Sequence, residues 1–282
     1  MNPTDHSLPI MLPKDLDELF DLKGKVALIL GGGLGMGEAS AKMLAWAGCD
    51  IVIAEIIPER AARVADEIRE TGRKAYAVVG DLTDPEQAAR MLAEAEAAAG
   101  GFDILVSIIG EAGWKSFLDT TLDDLHFDMR RNFEYFFHCS QIAAKSMIRR
   151  GNGGAICAIT SVDGLQSSPM HGAYGVAKAG IVSMVKTMAA ELGGYGIRVN
   201  CVAPGMVKTP RAVARKGPEW MDELAGNLGL PLPRAGSIEE IADTVLYLVS
   251  RMSRYTTGVT LPMDGGWLAS RLDSQGAAYQ KK

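Results

Sequence analysis

Short apolar runs alternate with amphipathic stretches along most of the chain. "KVALIL" (25–30) is apolar without interruption, the pattern of a strand buried on both faces. "DIVIAE" (50–55), "KAYAVVGD" (74–81), "DILVSII" (103–109), "GAICAIT" (154–160) and "IRVNCVA" (197–203) repeat it, and a last strand falls near "GVTLPM" (258–263). Pro262 cannot donate to a ladder, which puts that last strand at an edge. Helical signals fill the gaps: a helix from the glycine-rich 31–37 to Trp46, one starting near Pro58, and one opened by Asp84-Pro85-Glu86-Gln87. A single long helix is predicted over about 123–150 and another over about 174–192. The latter stacks Ala177, Ile181, Met184, Val185, Met188 and Leu192 on one face. "SIEE" (237–240) is a capping box for a helix reaching about Ser250. Strand–helix alternation of this kind predicts an α/β fold: one Rossmann-type doubly wound parallel sheet with helices on both faces. The expected division is an arm over 1–21, one domain over 22–267 and a tail over 268–282.

Composition adds exclusions. The net charge of −5 and the absence of a basic block disfavour nucleic acid and anionic membranes as partners. The start of the chain lacks the pattern of a signal peptide, and no apolar run has a membrane-spanning length. A cytoplasmic protein is the expectation. The four cysteines and four histidines show no metal-ligand spacing, so no metal is expected.

Two local patterns carry chemistry. In "LILGGGLGMGEA" (28–39), Gly31, Gly35 and Gly37 lie between a buried strand and a helix. Glycines there permit a tight turn and close approach of a pyrophosphate to the helix N-terminus. Glu55 ends the second strand, where a carboxylate would accept from ribose hydroxyls and repel a 2′-phosphate. Leu34 brings no positive charge to the turn, and both residues favour NAD over NADP. Asp81, ending strand three, is placed for the adenine edge. The second pattern is "HGAYGVAKAG" (171–180), where Tyr174 and Lys178 stand one helical turn apart. An ammonium beside a phenol favours the phenolate, making Tyr174 a general acid/base; many helices carry this spacing without any chemistry.

With the glycine string, the Tyr-x-x-x-Lys pair, "IRVNCVAPGMVKTP" (197–210) and "EEIADTVLYLVSRMSRYTTGVTLPMDGGW" in register, the chain resembles the short-chain dehydrogenase/reductase family over roughly residues 22–267. The resemblance implies Tyr174 as proton donor, with Lys178 as its partner and holder of the nicotinamide ribose. It implies that Ser161 binds the substrate oxygen and that Asn132 holds a relay water. Its cofactor contacts would be Gly31, Gly35, Met36, Gly37, Glu55, Asp81, Leu82, Gly110, Tyr174, Lys178, Pro204, Gly205, Val207 and Thr209. Two departures stand out: Leu30 replaces the family's usual Thr, and Ser107-Ile108-Ile109-Gly110 replaces Asn-Asn-Ala-Gly. The isoleucines are expected to narrow the cleft near the adenosine.

The implied activity is reversible hydride transfer between NAD(H) and a secondary alcohol or ketone. A lid is expected over about 206–235. Its apolar residues, with "EAGWKSF" (111–117) and "LQSSPMH" (165–171), suggest a bulky hydrophobic substrate in a pocket of Trp114, Ser161, Asp163, Met170, His171, Met206 and Trp220. The same side chains serve equally to pack the lid onto the protein. A 3-oxoacyl carrier-protein reductase using NADPH is the alternative enzyme, and a non-catalytic dinucleotide sensor the remote one. The family resemblance also implies a homo-oligomer, commonly a tetramer.

Overall fold

A computed structural model describes residues 12–270. Within the expected arm, α1 (Leu16–Phe20) begins at Asp15, whose carboxylate accepts from Glu18 N, and Phe20 meets Trp46 edge-on. β1 (Val26–Leu30), α2 (Met36–Trp46), β2 (Asp50–Glu55), α3 (Pro58–Glu70), β3 (Ala75–Val79), α4 (Pro85–Ala99) and β4 (Ile104–Ser107) follow in alternation. Pro58 stands in the first turn of α3, and Asp84 caps α4 by accepting from Glu86 and Gln87 N.

The single helix expected over 123–150 is interrupted. α5 (Leu122–Met129) passes through a π turn at Arg130–Glu134 into α6 (Tyr135–Arg150). The apolar periodicity continues across the interruption, so nothing in the pattern marks it. After β5 (Gly154–Ile159) come α7 (Gly172–Leu192), β6 (Ile197–Pro204), the short α8 (Pro210–Lys216) and α9 (Pro218–Asn227), α10 (Ile238–Val249) and β7 (Thr260–Met263). Ser237 and Glu240 form the predicted capping box.

The seven strands make one parallel sheet in the order β3-β2-β1-β4-β5-β6-β7, with β7 and its Pro262 at an edge. Strand residues alternate between two cores. Ala27 and Ile29 pack with Leu44, Val64 and Val245 under α2, α3 and α10. Leu28 and Leu30 pack with Leu92, Phe136 and Ile181 under α4, α6 and α7. The order reverses between β1 and β4, so a crevice opens at their carboxyl ends, where ligands of such sheets bind. Among the described residues no helix is long and apolar enough to cross a membrane. The four cysteines are buried as free thiols.

At the opposite end of the sheet, Asp103 ties three strands together. Its carboxylate accepts from Val26 N at 2.9 Å and from Arg150 at 3.1 Å, and its carbonyl accepts from Ala155 N. Asp103→Ala leaves a buried amide and a guanidinium short of a partner. It is expected to cost about 1–3 kcal/mol, measured as a lower midpoint in denaturant unfolding.

Candidate active site

Backbone geometry builds the first part of the crevice. Gly31 and Gly35 have φ of 84° and 63°, left-handed values that favour glycine. A Cβ on Gly37 would stand 1.9 Å from the Gly31 carbonyl oxygen, so the turn closes onto α2 only with glycine there. Gly33 N donates to Glu55 Oε2 at 3.1 Å, while Ile56 and Ile57 N donate to Glu55 Oε1. Glu55 is thus buried and fixed by three amides at the end of β2. Arg63 grips the same turn through the Gly33 carbonyl and is paired with Glu38. That pairing, together with Lys42, holds the Glu38 carboxyl down at about 2 against the opposing effect of burial.

Above this turn lies a cavity of about 280 Å³ whose wall includes Gly31, Gly35, Met36, Glu55, Asp81 and Leu82. The glycine cradle leaves room for a dinucleotide's phosphates at the N-terminus of α2, and a carboxylate stands at the far end for a ribose. The residues fit such a cofactor. Asp81 also accepts from Thr83 N and Oγ1, which fixes its orientation. Arg60, overlooked in the sequence, enters the same wall beside Glu55. Its position one turn into α3 gave no signal by itself.

The two isoleucines line this cavity, and Ile109 packs against Gly31. The hydrogen bonding expected of the replaced asparagines comes from elsewhere. Ser107 Oγ bonds Tyr135 Oη at 3.0 Å, and Tyr135 Oη donates to the Ile109 carbonyl at 2.7 Å. A tyrosine from α6 therefore supplies the tie between β4 and the loop that follows it. Leu30 is a buried core residue at the end of β1.

A second cavity of about 250 Å³ continues from the first and contains Ser161, Tyr174 and Lys178. Met36, Gly110, Pro204, Gly205, Val207 and Thr209 also line it. Ser161 lies two residues past β5 and accepts from Asp163 N, capping the turn at Val162–Gly164 while lining the cavity. Thr209 caps α8 in the same dual way. Lys178 is buried, and its Nζ donates to the Ile159 carbonyl at 3.1 Å; Thr160 Oγ1 in turn donates to the Lys178 carbonyl.

Electrostatics differ from the simple expectation. Lys178 Nζ lies 5.5 Å from the centre of the Tyr174 ring. Burial pushes the Tyr174 phenol up to about 12, although the Ser161 hydroxyl draws it back. Burial also pushes Lys178 down to about 8. In the protein alone, desolvation is the largest cause of both shifts.

Asn132 is fully buried in the π turn. Its Oδ1 accepts from Glu111 N, and its Nδ2 donates to the Glu111 and Asp128 carbonyls. The side chain clamps the loop after β4 against the helix.

The expected substrate residues divide. Trp114 lines the Tyr174 cavity. Trp114, Met170 and His171 line a third cavity of about 170 Å³. Asp163 meets His171 Nδ1 at 3.3 Å. Met206 and Trp220 line none of these three cavities, contrary to expectation. The Met206 backbone is engaged with Gly236, and Trp220, on α9, lies against Lys216 at the end of α8. Of the apolar lid residues, Met221 and Leu230 are buried, so part of the lid's apolar surface serves packing. The wall near Tyr174 instead carries Glu111, Arg211 and Arg215.

A sequence profile described as enoyl-(acyl carrier protein) reductase matches residues 32–268. L-Rhamnose-1-dehydrogenase of Scheffersomyces stipitis is 34% identical over 250 residues, covering 87% of this chain and 96% of that protein. The 2-dehydro-3-deoxy-D-gluconate 5-dehydrogenase of Escherichia coli is 33% identical, covering 89% and 98%. A solved 7α-hydroxysteroid dehydrogenase, complexed with NADH and 7-oxo glycochenodeoxycholic acid, superposes with a TM-score of 0.83. It is 33% identical, covering 89% of this chain and 97% of that one.

The lowered Lys178 makes a signed prediction. Between about 8 and the ordinary lysine value of 10.5, the folded chain binds fewer protons here than the unfolded chain, so this group adds stability as pH rises. It is lost as pH falls through 8. Relative to Lys178→Met, the wild type is expected to gain stability across that window, read from paired unfolding curves at pH 7.5, 9 and 10.5.

Proposed function

The chain belongs to the short-chain dehydrogenase/reductase family, and we propose that it oxidises a secondary alcohol reversibly, with NAD as its preferred cofactor. The observation that carries this reading is the meeting of Ser161, Tyr174 and Lys178 in one cavity that opens onto the glycine turn. Bound there, the nicotinamide supplies the hydride acceptor.

The chain's own residues would do the rest. Ser161 orients the carbinol oxygen by hydrogen bonding. Tyr174, as phenolate, takes the hydroxyl proton, and in the reverse direction returns it. Lys178 provides the positive charge that the buried phenolate requires, and donates to the ribose. Asn132 would act by positioning, since its amide is occupied by Glu111 and Asp128; this holds Gly110 and Glu111 at the edge of both cavities.

Glu55 supports NAD. Its fixed carboxylate lines the cavity wall, and charge repulsion there would disfavour a 2′-phosphate. Arg60 beside it moderates the preference, so the selectivity is modest. For the substrate, the polar wall of Glu111, Thr160, Arg211 and Arg215 supports a hydroxylated or anionic carbinol over a wholly apolar one. The relatives named for sugar-type substrates support the same choice. Exposed Phe117, Leu118 and Leu122 beside α5 are compatible with packing between subunits, as in a homotetramer.

Two measurements test this reading. Tyr174→Phe is expected to lower kcat on the order of a thousandfold, with NADH binding by fluorescence within a few-fold of wild type. Retained turnover in this variant would remove Tyr174 from the chemistry. Glu55→Gln is expected to shift the NAD-to-NADP ratio of kcat/KM toward NADP by about tenfold, equivalent to about 1.4 kcal/mol. An unchanged ratio would show that Glu55 serves only to hold the glycine turn.

A further inference from the structure

The short helix after β6 brings positive charge to the reacting cavity that the fold does not neutralise. Arg211 and Arg215 stand one helical turn apart on α8, and both line the cavity that holds Ser161, Tyr174 and Lys178. Lys178 is a third cation in that wall, and Glu111 is its one acid. The Glu111 carboxylate is already met by Arg131 of the π turn at 3.2 Å, with Arg211 further off at 3.9 Å. Among the described residues, Arg215 forms no ion pair and its side chain makes no hydrogen bond.

An unpaired arginine on open surface is solvated and carries no information. Here the guanidinium borders a cavity shared with the residues that handle the proton. Its planar fork of N–H donors matches the two oxygens of a carboxylate, and a second fork stands one turn away. The dinucleotide's pyrophosphate is one anion to consider. It belongs to the glycine turn, and Arg211 also lines that first cavity, whereas Arg215 lines only the cavity around Tyr174. The anion that Arg215 serves therefore sits on the molecule lying beside Tyr174.

We infer that Arg215, assisted by Arg211, determines specificity by binding a carboxylate of the substrate beside α8, while the carbinol lies at Ser161 and Tyr174. This rests on the reading of Tyr174 as the group that handles the carbinol proton. The substrate is then a hydroxy acid, and in the reverse direction a keto acid, in place of a neutral alcohol.

The test uses 4-oxopentanoate, 5-oxohexanoate and 6-oxoheptanoate, each against its methyl ester, so that three chain lengths span the reach between the two ends. Each is titrated by ligand-observed NMR against the full chain holding NAD, where no hydride is available. For at least one length the wild type is expected to bind the acid about tenfold more tightly than the ester, with the preference falling at high salt. Arg215→Gln is expected to bring acid and ester within about twofold of each other. Arg254→Gln removes the same charge at the opposite end of the sheet and is expected to keep the wild-type preference. NADH fluorescence verifies that both variants are folded.

Equal affinity of acid and ester at every length, or no acid binding at all, overturns the carboxylate site. A preference that survives Arg215→Gln, or that Arg254→Gln abolishes equally, overturns it too. A loss of NADH affinity in Arg215→Gln that weakens acid and ester alike assigns the arginine to the dinucleotide and has the same effect. Reduction of the same probes with NADH and NADPH separates this site from the reading it rests on. An acid preference without turnover keeps the carboxylate site and removes the oxidoreductase reading of Tyr174. Turnover with equal affinity for acid and ester does the reverse.

Discussion

One buried amide holds the functional end of this molecule together. Asn132 accepts from Glu111 N and donates to the Glu111 carbonyl, pairing with that residue as a neighbouring strand would. The loop after β4 has left the sheet at this point and has no ladder of its own. Without the clamp, its part-buried amide and carbonyl would lose their protein partner, and the loop would rearrange to regain one. Gly110 and Glu111 line both the dinucleotide-sized cavity and the one around Tyr174, so the shape of each depends on this contact. A Cβ on Gly110 would come within 2.9 Å of Asn132 Oδ1 and 3.1 Å of Lys178 Nζ. The clamp, the lysine and the glycine thus define one another's positions.

The same region accommodates a change in the sequence that removes hydrogen-bonding side chains from it. Ser107 and Ile108 stand where the family pattern has two asparagines, and Ile109 where it has an alanine. Tyr135 crosses from α6 to supply a hydroxyl bridge between Ser107 and the Ile109 carbonyl. Complete burial raises the phenol far above its ordinary value, so it remains a neutral donor. The polar requirement has moved from the strand to the helix, while Ile108 and Ile109 contribute apolar wall.

How much of this was legible in the sequence depended on whether the signal was local. Strands buried on both faces leave continuous apolar runs, and caps such as Asp84 and the Ser237–Glu240 box leave fixed spacings; these elements formed where expected. Gly31, Gly35 and Gly37 were legible for the same reason, since a turn of this kind excludes side chains locally. The π turn was not, because the apolar positions of 123–150 fit an uninterrupted helix equally well. Asp128 and Arg60 also escaped notice. An acid or a base on a helix reads as a solvated surface residue until the packing of distant segments decides otherwise. Trp220 and Met206 failed in the opposite sense: their apolar character was legible, and the surface each would cover was not.

The π turn has a consequence for how this scaffold tolerates change. One added residue rotates what precedes it by about 100° relative to an unbroken α-helix. α6 therefore keeps Tyr135, Phe136, Cys139 and Ala143 against the sheet, while α5 presents Asp128 toward α7 and the loop after β4. The helix carries two independent registers joined at Asn132. Residues of the forward register can vary with the α7 and loop surface they meet, and the hydrophobic register behind them is left undisturbed.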